Sequence, residues 1–125
     1  MKKVLVVEDE LMMRDLVVRK LSSANLDVKI AADGKEALEM WLKEIPDLVL
    51  LDLNLPEMNG FEVLEQIRNH GDARIAGTRV IVLSNLWSNE DILKAQNLKI
   101  QGYLVKAHHT PEDILEKVNQ ALATK

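Results

Sequence analysis

Short apolar runs and amphipathic stretches alternate five times along this chain, and that alternation limits the possible folds more than any other feature. The apolar runs fall at residues 3–7, 27–31, 48–52, 79–83 and 102–105. Each is rich in Val, Leu or Ile and too short for a helix, so each predicts a strand. Residues 47–51 read Asp-Leu-Val-Leu-Leu, a near-continuous apolar run of the kind that marks a strand buried on both faces. Between the runs, apolar residues recur every three to four positions, which predicts helices near 10–23, 34–44, 59–70 and 88–98, and from Thr110 onward. The first carries a stripe of Met13, Val17 and Leu21 beside Leu16. The second carries Ala37, Leu38, Trp41 and Ile45. The third carries Phe61, Leu64 and Ile67 and stops at Gly71. The fourth carries Ile92, Ala95 and Leu98. The fifth opens with Thr110-Pro111-Glu112-Asp113, an N-cap, a proline at the first helical position and acids in the first turn, and continues through Ile114, Val118, Ala121 and Leu122.

Strict strand–helix alternation implies an α/β domain: a parallel sheet covered by helices on both faces, with right-handed crossovers. The 125 residues are expected to make one domain, 1–125, without an output domain. There is no cysteine, hence no disulfide framework and no thiolate metal site. The net charge of −4 and the lack of a basic patch argue against direct nucleic-acid binding. The first apolar run is cut short by Glu8-Asp9-Glu10, too early for a signal peptide, and no run reaches a membrane span. The expected setting is cytoplasmic.

Polar residues follow four of the five strands directly: Glu8 and Asp9 the first, Asp52 the third, Ser84 the fourth and Lys106 the fifth. A doubly wound strand order 2-1-3-4-5 makes those four strands neighbours and gathers the residues on one rim, at the switch point where such sheets bind ligands. Three carboxylates in one cleft repel unless a cation intervenes. With hard oxygen donors and no sulfur, the expected ion is Mg²⁺, with Mn²⁺ as the alternative. Three carboxylates, one divalent cation and Lys106 sum to zero charge. Such a site can take a phosphoryl group, with a carboxylate as nucleophile and Ser84 as hydrogen-bond donor.

On these residues the chain resembles the receiver domain of two-component response regulators. The resemblance spans about residues 3–122. It is carried by Val-Leu-Val-Val-Glu8-Asp9-Glu10, by Leu51-Asp52-Leu53-Asn54-Leu55-Pro56-Glu57-Met58-Asn59-Gly60, by Val82-Leu83-Ser84 and by Gly102-Tyr103-Leu104-Val105-Lys106. It implies a flavodoxin-like (βα)5 fold. It further implies Asp52 as phosphoacceptor from a sensor histidine kinase, Asp9 as direct Mg²⁺ ligand, Glu8 acting through water and Asn54 lending its backbone carbonyl. Lys106 is implied to contact the phosphoryl oxygens, Ser84 to move toward them and Tyr103 to rotate inward behind it. That would rearrange the surface of the fourth helix, fifth strand and fifth helix, where a downstream protein would bind, as a monomer or a phosphorylation-linked dimer. The chain would then be a signalling domain rather than an enzyme. The alternatives are a phosphorelay carrier, a receiver cut from a DNA-binding regulator, or a pseudo-receiver that only binds partners. A flavodoxin-like cofactor binder is disfavoured by Glu8-Asp9-Glu10, which would repel a flavin phosphate. An Asp-based phosphohydrolase is disfavoured because Asn54 stands where a second Asp is expected.

The residues also have plainer roles. Glu10 fits the acidic first turn of a helix, and His70 fits a helix C-terminus, where the dipole favours it. His108 and His109 read as loop residues and Trp41 as core. Leu86-Trp87 follows the rim and is expected to be partly exposed, as a partner contact. Two positions depart from the family pattern. Ala107 stands where receivers commonly have a proline after the lysine. A cis bond there would cost about 3–4 kcal/mol, so Lys106–Ala107 is expected trans. Asn85 stands where the family is usually small, and apolar Leu86 follows it. Together they predict slow loss of the phosphoryl group.

Overall fold

The structure is a computed structural model and describes residues 1–86 and 88–123. Five strands form one parallel sheet in the order β2-β1-β3-β4-β5. They are β1 Lys3–Val7, β2 Asp27–Ala31, β3 Leu48–Leu51, β4 Arg79–Ser84 and β5 Gly102–Val105. The helices are α1 Leu11–Ser23, α2 Gly34–Glu44, α3 Gly60–Arg68, α4 Ala73–Ala76, α5 Asn89–Asn97 and α6 Pro111–Ala123, with a 3₁₀ turn at Lys106–His108. The predicted fourth and fifth helices are thus α5 and α6.

Side chains alternate across each strand, so the sheet has two buried faces. Leu5, Val7, Val49, Leu51, Val80 and Val82 face α2, α3, α4 and α5, where Trp41, Phe61, Leu64, Ile67, Ile75 and Ala95 meet them. Val4, Val6, Leu48, Leu50, Ile81, Leu83 and Leu104 face α1 and α6, against Val17, Leu21, Ile114 and Val118. Trp41 is fully buried, and its indole N–H donates to Thr78 Oγ1 at 3.0 Å.

The helix starts follow from local chemistry. Asp33, Asn59 and Ser88 each accept a hydrogen bond from the backbone N–H three residues on. Thr110 and Asp113 form a reciprocal capping box. Ile45, predicted within the second helix, instead ends it at φ 45°. Pro46 disfavours the right-handed region for the residue before it, which turns the chain there.

Some expectations need correction. α3 ends at Arg68 rather than near residue 70, and the separate helix α4 follows before β4. His70 is a turn residue whose Nδ1 accepts the Asp72 N–H at 3.0 Å, not simply a dipole partner. Glu10 is the N-cap of α1, before its first turn, and its side chain makes no cap bond. Leu16 lies on the solvent side of α1, 52% exposed, because the buried stripe runs through Val17 and Leu21. Asp52 follows β3 rather than ending it, and Ser84 belongs to β4. The expected partner contact at Trp87 lies outside the described residues. Among the described residues, no helix is long and apolar enough to cross a membrane.

Candidate functional site

Register brings the polar strand ends together. Val7 pairs with Leu51, Leu51 with Val82, and Ser84 with Val105. The next residues along three of these strands are Glu8, Asp52 and Lys106. The ladder carries them one step further: Glu8 N–H donates to Ala31 O at 3.0 Å and Asp52 N–H to Val7 O at 3.1 Å. The backbone is therefore fixed where the chemistry-bearing side chains leave it.

Glu8 and Asp52 are 3% and 4% exposed, and Ser84 is fully buried. Lys106 Nζ donates to Asp52 Oδ2 at 2.9 Å and lies 2.6 Å from Glu8 Oε1. The second contact is an ion pair by distance only. Its angle is too poor for a hydrogen bond, and Glu8 Oε1 is buried with no donor. The other oxygens are held by backbone: Glu8 Oε2 accepts Glu10 N–H at 3.1 Å, and Asp52 Oδ1 accepts Asn54 N–H at 3.1 Å. Asp9 is exposed beside them. One carboxylate oxygen from each of Glu8, Asp9 and Asp52 fits within a 4.8 Å span. Asp9, Glu10, Asp52, Asn54, Asn85, Leu86 and Lys106 line a cleft of about 200 Å³.

Electrostatics sets the two buried partners against each other. Burial pushes the Glu8 carboxyl up to about 7, with Asp52 adding repulsion, although the Lys106 ammonium beside it pulls the other way. Burial also opposes the charge on Lys106, but its pairing with the Glu8 and Asp52 carboxylates outweighs that and holds its pKa above the ordinary value. A single ammonium thus serves two carboxylates, holding Glu8 Oε1 by charge and without a hydrogen bond. That buried, donor-free Glu8 oxygen and the hard-oxygen set around it fit Mg²⁺ in both charge and chemistry.

Ser84 Oγ accepts the Leu86 N–H at 3.1 Å, and Tyr103 Oη donates to the Leu86 carbonyl at 2.5 Å. The Leu86 backbone is therefore held at both its N–H and its carbonyl. Tyr103 is half-buried against the α2–α5 core. Burial and the Asp91 charge raise its hydroxyl pKa, while the Ser84 hydroxyl lowers it in part. All peptide bonds of the described residues are trans, including Lys106–Ala107 as predicted, and the chain turns there through the 3₁₀ segment.

The structure thus groups Glu8, Asp9, Asp52, Asn54 and Lys106 around one cleft, with Ser84 and Tyr103 behind its Leu86 wall. His108 closes the 3₁₀ turn rather than lying in the loop as expected, His109 lies in the loop before α6, and neither joins the carboxylate group of Glu8, Asp9 and Asp52. Sequence reasoning missed Arg14, whose Nη1 donates to the Glu8 carbonyl at 3.3 Å. It also missed how Glu10, through its N–H alone, fixes the Glu8 carboxylate. A helical arginine and a first-turn acid carry no signal for either role.

The comparisons agree with this geometry. Regulator of RpoS of Escherichia coli K12 is 41% identical over 105 residues, which is 84% of this chain but 30% of that protein. The chain therefore spans about a third of that relative's length. The chemotaxis response regulator CheY4 of Vibrio cholerae superposes with a TM-score of 0.86 at 32% identity, covering 97% of this chain and 98% of that one. A CheY-like receiver domain protein of Methanospirillum hungatei JF-1 gives 0.88 at 30% identity, covering 98% and 94%. Residues 4–119 match the family described as response regulator receiver domain, and the chain belongs to that family.

Proposed function

We propose that this chain is a phosphorylation-driven switch of a two-component system, accepting a phosphoryl group on Asp52 from a sensor histidine kinase. The observation that carries the reading is Lys106 Nζ placed 2.9 Å from Asp52 Oδ2 and 2.6 Å from Glu8 Oε1 in a buried rim. In the transfer, an Asp52 carboxylate oxygen bonds to phosphorus as the P–N bond to the donor histidine breaks, its electron pair passing to the imidazole nitrogen. Lys106 then faces the added phosphoryl oxygens with its charge. Ser84 has a hydroxyl proton still to give, since its oxygen is the acceptor for Leu86 N–H. Turning that proton toward the phosphoryl group would weaken the hold on the Leu86 peptide and disturb the Tyr103 bond on its other side.

Glu8, Asp9, Asp52 and the Asn54 carbonyl would hold Mg²⁺, which when bound supplies charge neutralisation for the incoming phosphoryl group. The readout would be a population shift in the α5–β5–α6 surface toward binding a downstream protein. The domain would promote only its own phosphorylation and dephosphorylation, in the cytoplasm, and Leu86 at the cleft wall would slow the approach of water. As residues 1–125 hold one receiver, any effector would be a separate protein or another part of a longer chain.

The test is intact-mass analysis after incubation with acetyl phosphate and Mg²⁺. Wild type should gain one phosphoryl group and Asp52→Ala none. A wild type that stays unmodified at saturating Mg²⁺ would leave only a partner-binding module.

A further inference from the structure

Two glycines anchor the loop that carries Asp52 and Asn54. At its root, a Cβ on Gly60 would stand 2.4 Å from the Asp52 carbonyl oxygen, and the Gly60 N–H donates to Leu53 O at 2.9 Å. At its far end, Gly34, the first residue of α2, meets Met58. A Cβ on Gly34 would lie 1.6 Å from the Met58 carbonyl oxygen and 2.5 Å from its carbon. The Gly34 N–H donates to Pro56 O at 3.2 Å, and the same oxygen takes the Met58 N–H at 2.8 Å. Among the described residues no glycine has positive φ, so Gly34 serves close approach rather than a left-handed backbone.

The obstacle a Cβ would meet is backbone, and the loop has little room to yield. Leu55 is 8% exposed, Pro56 has a ring-fixed φ and Glu57 already sits at φ 69°. Met58 packs against the core. A push on the Met58 carbonyl therefore travels back along a short, stiff segment to Asn54.

We propose that Gly34 is a positioning residue of the phosphoacceptor site, setting the pose of the Asn54 carbonyl through the contact of α2 with Met58. This rests on the reading of Asn54 as a carbonyl ligand of Mg²⁺. Gly34 touches the loop tip and not the acidic cluster, so its influence on the site passes through the loop.

The test is calorimetric titration with Mg²⁺ alone, alongside thermal unfolding in chelator, for wild type, Gly34→Ala and Gly71→Ala. Nothing lies within 4 Å of a Cβ on Gly71, which makes it the control. Gly34→Ala should bind Mg²⁺ about tenfold more weakly at a temperature where it is folded, as for lost outer-shell support of a metal site, while Gly71→Ala matches wild type. A folded Gly34→Ala with wild-type Mg²⁺ affinity overturns the proposal, even if its unfolding temperature falls. A wild type that binds no Mg²⁺ overturns the metal reading and the proposal with it. Should Gly34→Ala fail to fold, adding Glu57→Gly frees the turn beside Met58. The freed turn absorbs part of the push, so the double variant should fold and bind Mg²⁺ more weakly than Glu57→Gly alone, by less than about tenfold; equal affinity of the two overturns the proposal.

Discussion

A half-buried cation stands at each end of the strands, Arg68 at one and Lys106 at the other, and the two are treated in opposite ways. At the lower end Arg68 closes α3. Its Nε donates to Leu98 O at 2.7 Å, Nη1 to Ala76 O at 2.6 Å and Nη2 to Lys99 O at 3.0 Å. It thus ties the ends of α3, α4 and α5 together through carbonyls. Among the described residues no carboxylate pairs with it, and burial lowers its pKa. At the upper end Lys106 stands between two carboxylates that raise its pKa, yet one Glu8 oxygen lacks a donor. The arginine's planar fork matches fixed carbonyls and leaves little unsatisfied. The lysine is a point charge shared between partners, so its surroundings remain open to a further cation or anion. One end is a finished joint and the other an unfinished one.

That contrast can be broken by experiment. The largest effect is expected at Arg68. Arg68→Met strips three carbonyls of their donors and should cost about 3 kcal/mol in urea unfolding. The loss should be the same at pH 5 and pH 8, and with or without Mg²⁺. A loss that Mg²⁺ relieves would erase the distinction between the two ends.

Lys106→Met should cost less, about 2 kcal/mol in chelator at pH 8, because Glu8 can take up a proton to relieve the repulsion. Mg²⁺ should restore much of it, and at pH 5 the cost should shrink. Acetyl phosphate should label this variant far more slowly than wild type, measured by intact mass.

The smallest effect is a gain. The Glu8 pKa rises on folding from 4.5 to about 7, so folding favours its protonated form. Its contribution is fully present below pH 4.5 and fades as pH rises through 7. Glu8→Gln in chelator should therefore match wild type at pH 4 and be the more stable of the two at pH 8, by less than the shift alone would give because the substitution also removes the ion pair with Lys106. With Mg²⁺ the order at pH 8 should reverse. Thermal unfolding across pH with and without the ion reads both signs, and an unchanged gap across pH would show Glu8 to be well satisfied by Lys106 alone.

How much of this was legible in the sequence divides along the same line. The upper rim was readable because polar residues that directly follow apolar strands are conspicuous, and a parallel order gathers them. Glu8, Asp9, Asp52, Ser84 and Lys106 all announced themselves in that way. The lower end was silent. An arginine in the last turn of a helix reads as a dipole partner, so the clamp of Arg68 on three carbonyls left no trace. α4 spans only Ala73–Ala76, too short for any apolar periodicity, and Gly77 after it was its main mark. Leu16 carried the right residue type but lies one step off the buried stripe. The contact of Gly34 with Met58 is backbone against backbone across 24 positions, and side-chain patterns do not encode it.

The burial of Trp41 has a practical consequence for optical work. Its indole is fully enclosed and bonded to Thr78, just before β4 at the end of the strands away from the acids. Its emission should be blue-shifted, resistant to aqueous quenchers and nearly indifferent to what happens at Asp52. The sequence has one other tryptophan, Trp87, three residues after Ser84. A Trp41→Phe variant, monitored by fluorescence, would therefore trade a steady core signal for a single reporter three residues after Ser84 in the sequence.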